Sequence, residues 1–153
     1  RSLVRSKRAK SAVSALAPSY KEGCMQYLFL AGRVLYGGFF LLAGMDHLRL
    51  VNMMEPYARA KGVPAARVGV LGSGLLIILG GLSVLLGFHP AWGVVLLTLF
   101  LVPTSVLMHN YWAATDPAGR LADLTHFKKN VALLGAAWML LFIPQPWPLS
   151  LSW

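Results

Sequence analysis

The amino-acid sequence predicts an all-α, polytopic membrane protein whose four transmembrane helices form an antiparallel bundle. Hydrophobic residues make up 57% of the 153 residues and charged residues only 12%, whereas a soluble domain carries about 25% charged residues. The mean hydropathy is +0.62. Four continuous apolar runs approach the length of about 20 residues that a helix needs to cross a bilayer. A transmembrane β-barrel would instead need alternating segments of about ten residues.

Each apolar run predicts one helix. The four runs cover residues 27–48, 68–88, 91–112 and 127–143. The first is interrupted by one charge, Arg33, and ends at Gly44, Asp46 and His47, and the third contains Pro103. The fourth is expected to end at Pro144, because proline has no amide donor and clashes with the preceding turn. Only His89 and Pro90 separate the second run from the third, so these two helices are expected to be antiparallel neighbours.

The other two connections are longer and polar, over residues 49–67 and 113–126. In the first, Met53, Met54 and Tyr57 recur at helical spacing. This pattern is consistent with a short interfacial helix, and an irregular connector is an equally good interpretation.

Glycines predict close helix packing rather than four independent anchors. In lipid, small residues let helix backbones approach each other. The glycines assigned to helix packing are Gly37, Gly44, Gly72, Gly80 and Gly81. Tryptophans at the predicted helix ends are typical of an aromatic belt at the membrane surface; they are Trp92, Trp112, Trp138, Trp147 and Trp153.

The sequence divides into a basic arm over residues 1–25, a membrane domain over 26–145 and a Pro/Trp-rich interfacial tail over 146–153. Six of the fourteen Lys and Arg residues lie in the first 21 positions. The arm is similar in composition to an organelle transit peptide, but a flexible arm attracted to anionic lipid or an acidic partner is favoured. The lone Cys24 excludes an internal disulfide and a Cys-based metal centre.

Arg33 is the one charge well inside the first predicted helix. It can either reach the headgroups along its aliphatic stem or face the bundle. It shares a helix face with Gly37 and Gly44, which favours the inward orientation, and an inward Arg would need an anion.

A second polar group is expected at the opposite membrane surface, about 21 Å from Arg33 at 1.5 Å per helical residue. Counting the spans brings together the end of the first helix, the end of the third and the start of the fourth. The residues concerned are Asp46, His47, His109, Asn110, His126, Lys129 and Asn130. They could bind a metal ion, hydrogen-bond a quinone carbonyl and relay its proton, or cap helices. A haem between His47 and His109 is disfavoured, because it needs room for a macrocycle.

Five segments in order resemble the DoxX/DoxD-like family of four-helix membrane proteins. They are LAGRVLYGGFFLLAGMDHL, YARAKGVP, LLIILGGLSVLLGFHP, LMHNYW and HFKKNVALLGAAWMLL, within residues 27–143. Positions that match the recurrent pattern are Arg33, Gly44, His47, His109, Trp112, His126, Phe127, Lys129 and Asn130. Some relatives have Lys where this chain has His47.

The resemblance implies an integral membrane subunit, since some relatives serve in thiosulfate:quinone oxidoreductase and others associate with membrane redox enzymes. We therefore expect a subunit linked to a redox complex, with Arg33 and the seven polar residues above as candidate ligand or proton-relay positions. The expected ligand at this cluster is a quinone or a small anion, quinone is the one candidate cofactor, and no metal site is assigned. The alternative is a structural or assembly subunit of a respiratory or photosynthetic complex. Expected partners are the bilayer and other membrane subunits, not nucleic acid, in the bacterial inner membrane rather than an organelle membrane.

Overall fold

A computed structural model describes the backbone of residues 2–151 and the side chains of residues 23–151. Within these residues the chain is helical and forms no strand, which confirms the all-α class. The helices are α1 (Ser2–Arg49), α2 (Val51–Ala60), α3 (Ala66–Leu86), α4 (Pro90–Pro103) and α5 (Pro117–Met139). A π-helical turn, Thr104–Met108, continues α4, and a 3-10 turn, Leu140–Phe142, continues α5. The expected flexible arm falls mostly on residues whose side chains lie outside the described part.

Among the described residues, three helical segments are long and apolar enough to cross a membrane. They are Gly23–Arg49, Ala66–Leu86 and Pro90–Met108. The fourth predicted span lies in the second half of α5, whose full length also carries Arg120, Asp123, Lys128 and Lys129. Large apolar side chains such as Leu35, Val68 and Trp92 are exposed on the outside. The protein is therefore a polytopic α-helical membrane protein, and this apolar exterior is consistent with contact with lipid.

The closest approach in the bundle is between α1 and α3. A Cβ added to Gly37 would lie 2.6 Å from the Gly81 carbonyl oxygen, and one added to Gly44 would lie 2.8 Å from that of Gly74. Backbone therefore contacts backbone at two levels, and only glycine leaves enough space. Gly37, Gly44 and Gly81 therefore lie at the contact between α1 and α3.

A third glycine contact joins α3 to α4. A Cβ on Gly80 would stand 2.9 Å from the Leu97 side chain and 3.2 Å from the Gly93 carbonyl oxygen. Gly72 was wrongly included in the packing set: it is exposed, and a Cβ there would meet no atom within 4 Å. Gly72 is two residues before Gly74, on the side of α3 turned away from α1.

The core lies where α1, α3 and α4 meet. α1 packs on α3, α3 on α4, and α4 on α5, while the Tyr36 hydroxyl on α1 donates to the Leu133 carbonyl on α5 at 2.6 Å. The buried apolar residues of this core are Phe40, Ile77, Val84, Leu97, Leu101 and Trp147. Trp147 was expected among the interfacial aromatic anchors, but its side chain is buried against Phe29, with ring centroids 5.3 Å apart.

The polar connections contain more helix than expected. The connection over 49–67 holds the short helix α2, which packs on α3 through Ala58 and Val70. The prediction of a loop over 113–126 is largely wrong, because α5 begins at Pro117. Asp116 caps it by accepting from the Gly119 amide at 2.7 Å, and Pro117 occupies the first helical position. Both are standard helix-start features.

Candidate functional site

A cavity of about 480 Å³ lies inside the bundle, beneath α2. Its walls are mainly apolar and aromatic side chains from α1, α3, α4 and α5, including Phe39, Phe40, Phe100 and Leu133. One end is polar and is lined by His47, His109, His126, Lys129 and Asn130. The structure thus brings together five of the eight predicted site residues around one apolar cavity.

Asn130 is the most deeply placed polar residue of this cavity. It lies on the inner face of α5 and is 5% exposed. No hydrogen bond joins its carboxamide to a residue that the structure describes. Because no side-chain nitrogen or oxygen among these residues is sealed without a partner, the carboxamide opens onto the cavity that it lines. Asn130 therefore offers both a donor and an acceptor to an occupant of the cavity.

A group of four residues, which we term the polar roof, lies at the polar end of the cavity and includes His109, which lines it. It consists of Lys61, His109, Asn110 and Asp123. The Lys61 Nζ donates to Asp123 Oδ2 at 2.8 Å and to Asn110 Oδ1 at 2.9 Å. His109 Nδ1 lies 3.5 Å from the other Asp123 oxygen. The roof ties the segment after α2 to the end of the π-helical turn and to the first half of α5.

The charges of the polar roof support each other. Burial opposes the ionised form of Asp123, but hydrogen bonds from Lys61 and His109 outweigh it, so the pKa of Asp123 is below its ordinary value. Burial also opposes the charge of Lys61, yet its contact with Asp123 raises the pKa of Lys61. Both side chains are therefore charged near neutral pH.

His109 responds in the opposite direction. Its pKa is lowered chiefly by burial, with further lowering by His126 and Lys129, and the nearby Asp123 compensates only in part. The rings of His109 and His126 are stacked, with centroids 4.9 Å apart and planes 21° apart. His109 is consequently mainly neutral at pH values above its lowered pKa.

His126 and Lys129 form the outer edge of the polar end, and both are exposed. The Lys129 Nζ is 3.4 Å from His126 Nδ1 and 5.9 Å from the centre of the Phe39 ring. A cation at this edge can attract an electron-rich headgroup from the membrane surface.

His47 reaches the cavity from α1. Its Nδ1 donates to the Ala43 carbonyl at 2.8 Å, which leaves Nε2 for an occupant. Asp46, expected in the same cluster, is exposed and does not line the cavity. Adjacent helical residues project about 100° apart, so His47 and Asp46 cannot both face inward.

Arg33 faces inward as predicted, and it is 2% exposed. The expectation that it needs an anion is wrong. Its guanidinium donates to the carbonyls of Val84 at 3.2 Å and Leu85 at 2.8 Å, in the last turn of α3, and to that of Pro148 at 2.8 Å. The partial negative charge of a helix C-terminus stabilises a cation there. Arg33 is thus a structural residue at the end of the bundle opposite the cavity.

Sequence reasoning missed Lys61 and Asp123 because both were assigned to loops. The available signal was spacing on α5: Asp123, Asn130 and Ala137 recur every seven residues and are the buried positions of that helix. Among the residues that the structure describes, no three His, Cys, Asp or Glu side chains are placed to hold a metal ion.

The sequence comparisons identify the family. The model of the DoxX family matches residues 28–110, which is more than half of the chain and covers the membrane part of α1 through Asn110. No curated protein and no solved structure matches the chain. The matched region contains Arg33, the glycine contacts between α1 and α3, and two of the cavity histidines. This chain is a member of the DoxX family of membrane proteins.

Proposed function

We propose that this DoxX-family protein binds a membrane quinone in the cavity beneath α2, as a subunit associated with a redox enzyme of the bacterial inner membrane. The observation that carries the proposal is the combination of an apolar cavity with a buried carboxamide, Asn130, that has no partner among the described residues. Ligand sites usually combine apolar walls with a few convergent polar groups.

A quinone matches this arrangement chemically. Its ring and isoprenoid chain are apolar and fit walls such as Phe40, Phe100 and Leu133, while its two oxygens need hydrogen bonds. Asn130, His47 and His109 offer such hydrogen bonds at the polar end. The cavity volume of about 480 Å³ is within the range of about 300–1,000 Å³ that is typical of small-molecule sites.

The family resemblance supports the association with a redox enzyme, because some relatives serve in thiosulfate:quinone oxidoreductase. In this role the protein would hold the quinone while a partner subunit exchanges electrons with it. The lone Cys24 is far from the cavity in sequence, at the other end of the membrane part of α1. The protein's own contribution is therefore binding and hydrogen bonding rather than thiol chemistry.

Quinone binding can be measured by titrating decylubiquinone into the protein in lipid nanodiscs, with empty nanodiscs as the reference. We expect saturable binding to the wild-type protein. Asn130→Leu removes one buried hydrogen bond of about 1.4 kcal/mol, so the Kd should rise about ten-fold. Gln26→Leu is a matched control, because Gln26 is exposed and lies at the start of the membrane part of α1, away from His47.

Two results would contradict the proposal. One is the absence of binding beyond that of empty nanodiscs, and the other is equal loss of affinity in Asn130→Leu and Gln26→Leu. The thermal stability of both variants should be measured alongside, so that a folding defect is not mistaken for loss of the site.

A further inference from the structure

His109 presents two chemically different nitrogens. Nδ1 lies 3.5 Å from Asp123 Oδ1, and an ionised carboxylate can only accept a hydrogen bond. Nδ1 therefore carries the proton. The remaining nitrogen, Nε2, has no hydrogen-bond partner among the described residues and is not sealed from the cavity. In the neutral ring this nitrogen is an acceptor.

The residues around His109 keep its Nδ1 protonated and its Nε2 free to accept. Lys61 keeps Asp123 ionised through its contact at 2.8 Å. From α2, the Tyr57 hydroxyl donates to the Met108 carbonyl at 3.3 Å, directly before His109. The other titratable groups near His109 are His126 and Lys129 on α5 and His47 on α1; α3, α4 and the π-helical turn line the cavity with uncharged side chains only.

We propose that His109 makes the cavity selective for the hydroquinone over the quinone at neutral and alkaline pH, and that this selectivity disappears as His109 becomes protonated. The inference rests on the proposed quinone site and specifies which form of the ligand that site prefers. Asp123 acts as a positioning residue, because it fixes which nitrogen of His109 faces the ligand.

The preference follows from the direction of one hydrogen bond. A hydroquinone hydroxyl donates to the lone pair of neutral Nε2. A quinone oxygen has no proton to donate, so it opposes that lone pair and leaves Nε2 without a bond. Protonated His109 donates from Nε2 instead, and both a quinone oxygen and a hydroquinone hydroxyl oxygen can accept that bond, so the preference is lost. Asn130 can bind both forms, since its carboxamide donates and accepts.

The pH direction can be stated from the same chemistry. Burial lowers the pKa of His109, so the neutral ring, and with it the preference for the hydroquinone, is present at pH 7. As the pH falls through this lowered pKa, quinone binding should strengthen, because Nε2 then donates to the quinone oxygen, while the hydroquinone keeps a hydrogen bond by accepting instead of donating. The two affinities should therefore converge under acidic conditions.

The test measures the Kd of decylubiquinone and of decylubiquinol in anaerobic nanodiscs between about pH 8 and about pH 5. For the wild-type protein we expect the hydroquinone to bind about ten-fold more tightly at the upper end, as one hydrogen bond predicts. The ratio of the decylubiquinone Kd to the decylubiquinol Kd should shrink as the pH falls. His109→Gln should bind both forms with a ratio that does not depend on pH, because an amide can donate or accept and does not titrate.

His89→Asn is the matched control, because His89 is exposed in the turn between α3 and α4, at the opposite end of the bundle. Its Kd ratio and pH dependence should equal those of the wild-type protein. Equal affinities at every pH, or a pH dependence that persists in His109→Gln, would overturn the inference while leaving the quinone site intact. If neither form binds, the proposed function itself is wrong.

Discussion

At the scale of single residues, Arg33 shows that a buried cation in a membrane helix need not indicate a ligand. Its guanidinium is satisfied by carbonyl oxygens of the last turn of α3 and of the C-terminal tail. Gly87 makes this possible: it has a positive φ of 66°, and a Cβ there would lie 2.8 Å from Arg33 Nη2. The sequence correctly predicts an inward Arg33, but only the fold shows that backbone replaces the expected anion.

Arg33→Met should lower the free energy of unfolding by about 2–3 kcal/mol. The substitution removes charge-assisted hydrogen bonds to the backbone and leaves their carbonyl oxygens buried. Arg33→Lys should give an intermediate loss, since one ammonium cannot reach all these oxygens. The measurement is thermal unfolding in detergent. Arg49→Met, which changes an exposed Arg at the end of the same helix, should change little. A loss in Arg49→Met as large as that in Arg33→Met would contradict this assignment.

Asp46 and Asp123 show why residue-scale prediction of the site succeeded only in part. His47, His109, His126, Lys129 and Asn130 were found because polar residues at helix ends are conspicuous in an apolar sequence. Asp46 was included because helix-end position does not specify which way a side chain projects. Asp123 was missed because its burial depends on Lys61, 62 residues earlier in the chain, and local spacing does not reveal such a distant pair.

At the scale of elements, paired glycines set the distance between α1 and α3. Gly37 and Gly44 are seven residues apart, as are Gly74 and Gly81, so two turns of each antiparallel helix meet at the same two levels. The sequence therefore contained the spacing of the interface. Gly72 does not fit that spacing, because it is not seven residues from Gly81.

Gly81→Ala should destabilise the bundle, since its new Cβ would stand 2.8 Å from the Gly37 carbonyl oxygen and backbone cannot move aside cheaply. Gly72→Ala on the same helix is the matched control. There the added methyl meets open space, and replacing Gly by Ala in a helix favours folding by up to about 1 kcal/mol. The temperature of thermal unfolding should thus fall in Gly81→Ala and rise in Gly72→Ala. A shift in the same direction for both would mean that α1 and α3 are not in backbone contact.

The start of α5 was predicted ten residues too late for an identifiable reason. Apolarity alone marks a span from Phe127, whereas the helix begins at Pro117, where Asp116 and Pro117 provide the start signal. The polar first half was assigned to a loop because a membrane helix was expected to be apolar throughout. Its Asp123 instead pairs with Lys61, and that contact favours helix over loop.

At the scale of the whole molecule, the described bundle has two chemically different ends. One holds the polar roof and the polar side of the cavity. The other holds the turn around His89 together with the C-terminal tail, since Arg33 contacts both α3 and the carbonyl of Pro148. The three candidate spans run between these two ends, so the ends face opposite sides of the membrane.

Cysteine labelling can test this arrangement in sealed vesicles. In a Cys24→Ser background, His89→Cys and Gln145→Cys should react with an impermeant maleimide from one side, and Thr115→Cys from the other. All three positions are exposed, so accessibility within the fold does not limit the reaction. Labelling of Gln145→Cys from the same side as Thr115→Cys would show that α5 does not cross, and the bundle would then have three spans.

The polar half of α5 has a consequence for how relatives of this protein should be compared. The family match ends at Asn110, whereas Asp123 of the polar roof and three residues that line the cavity all follow it; the three are His126, Lys129 and Asn130. Two proteins can therefore share the matched scaffold and still differ in the α5 side chains that their cavities present. Grouping relatives by ligand would need the residues that correspond to positions 116–133, aligned on the Asp-Pro helix start, rather than the region that defines the family.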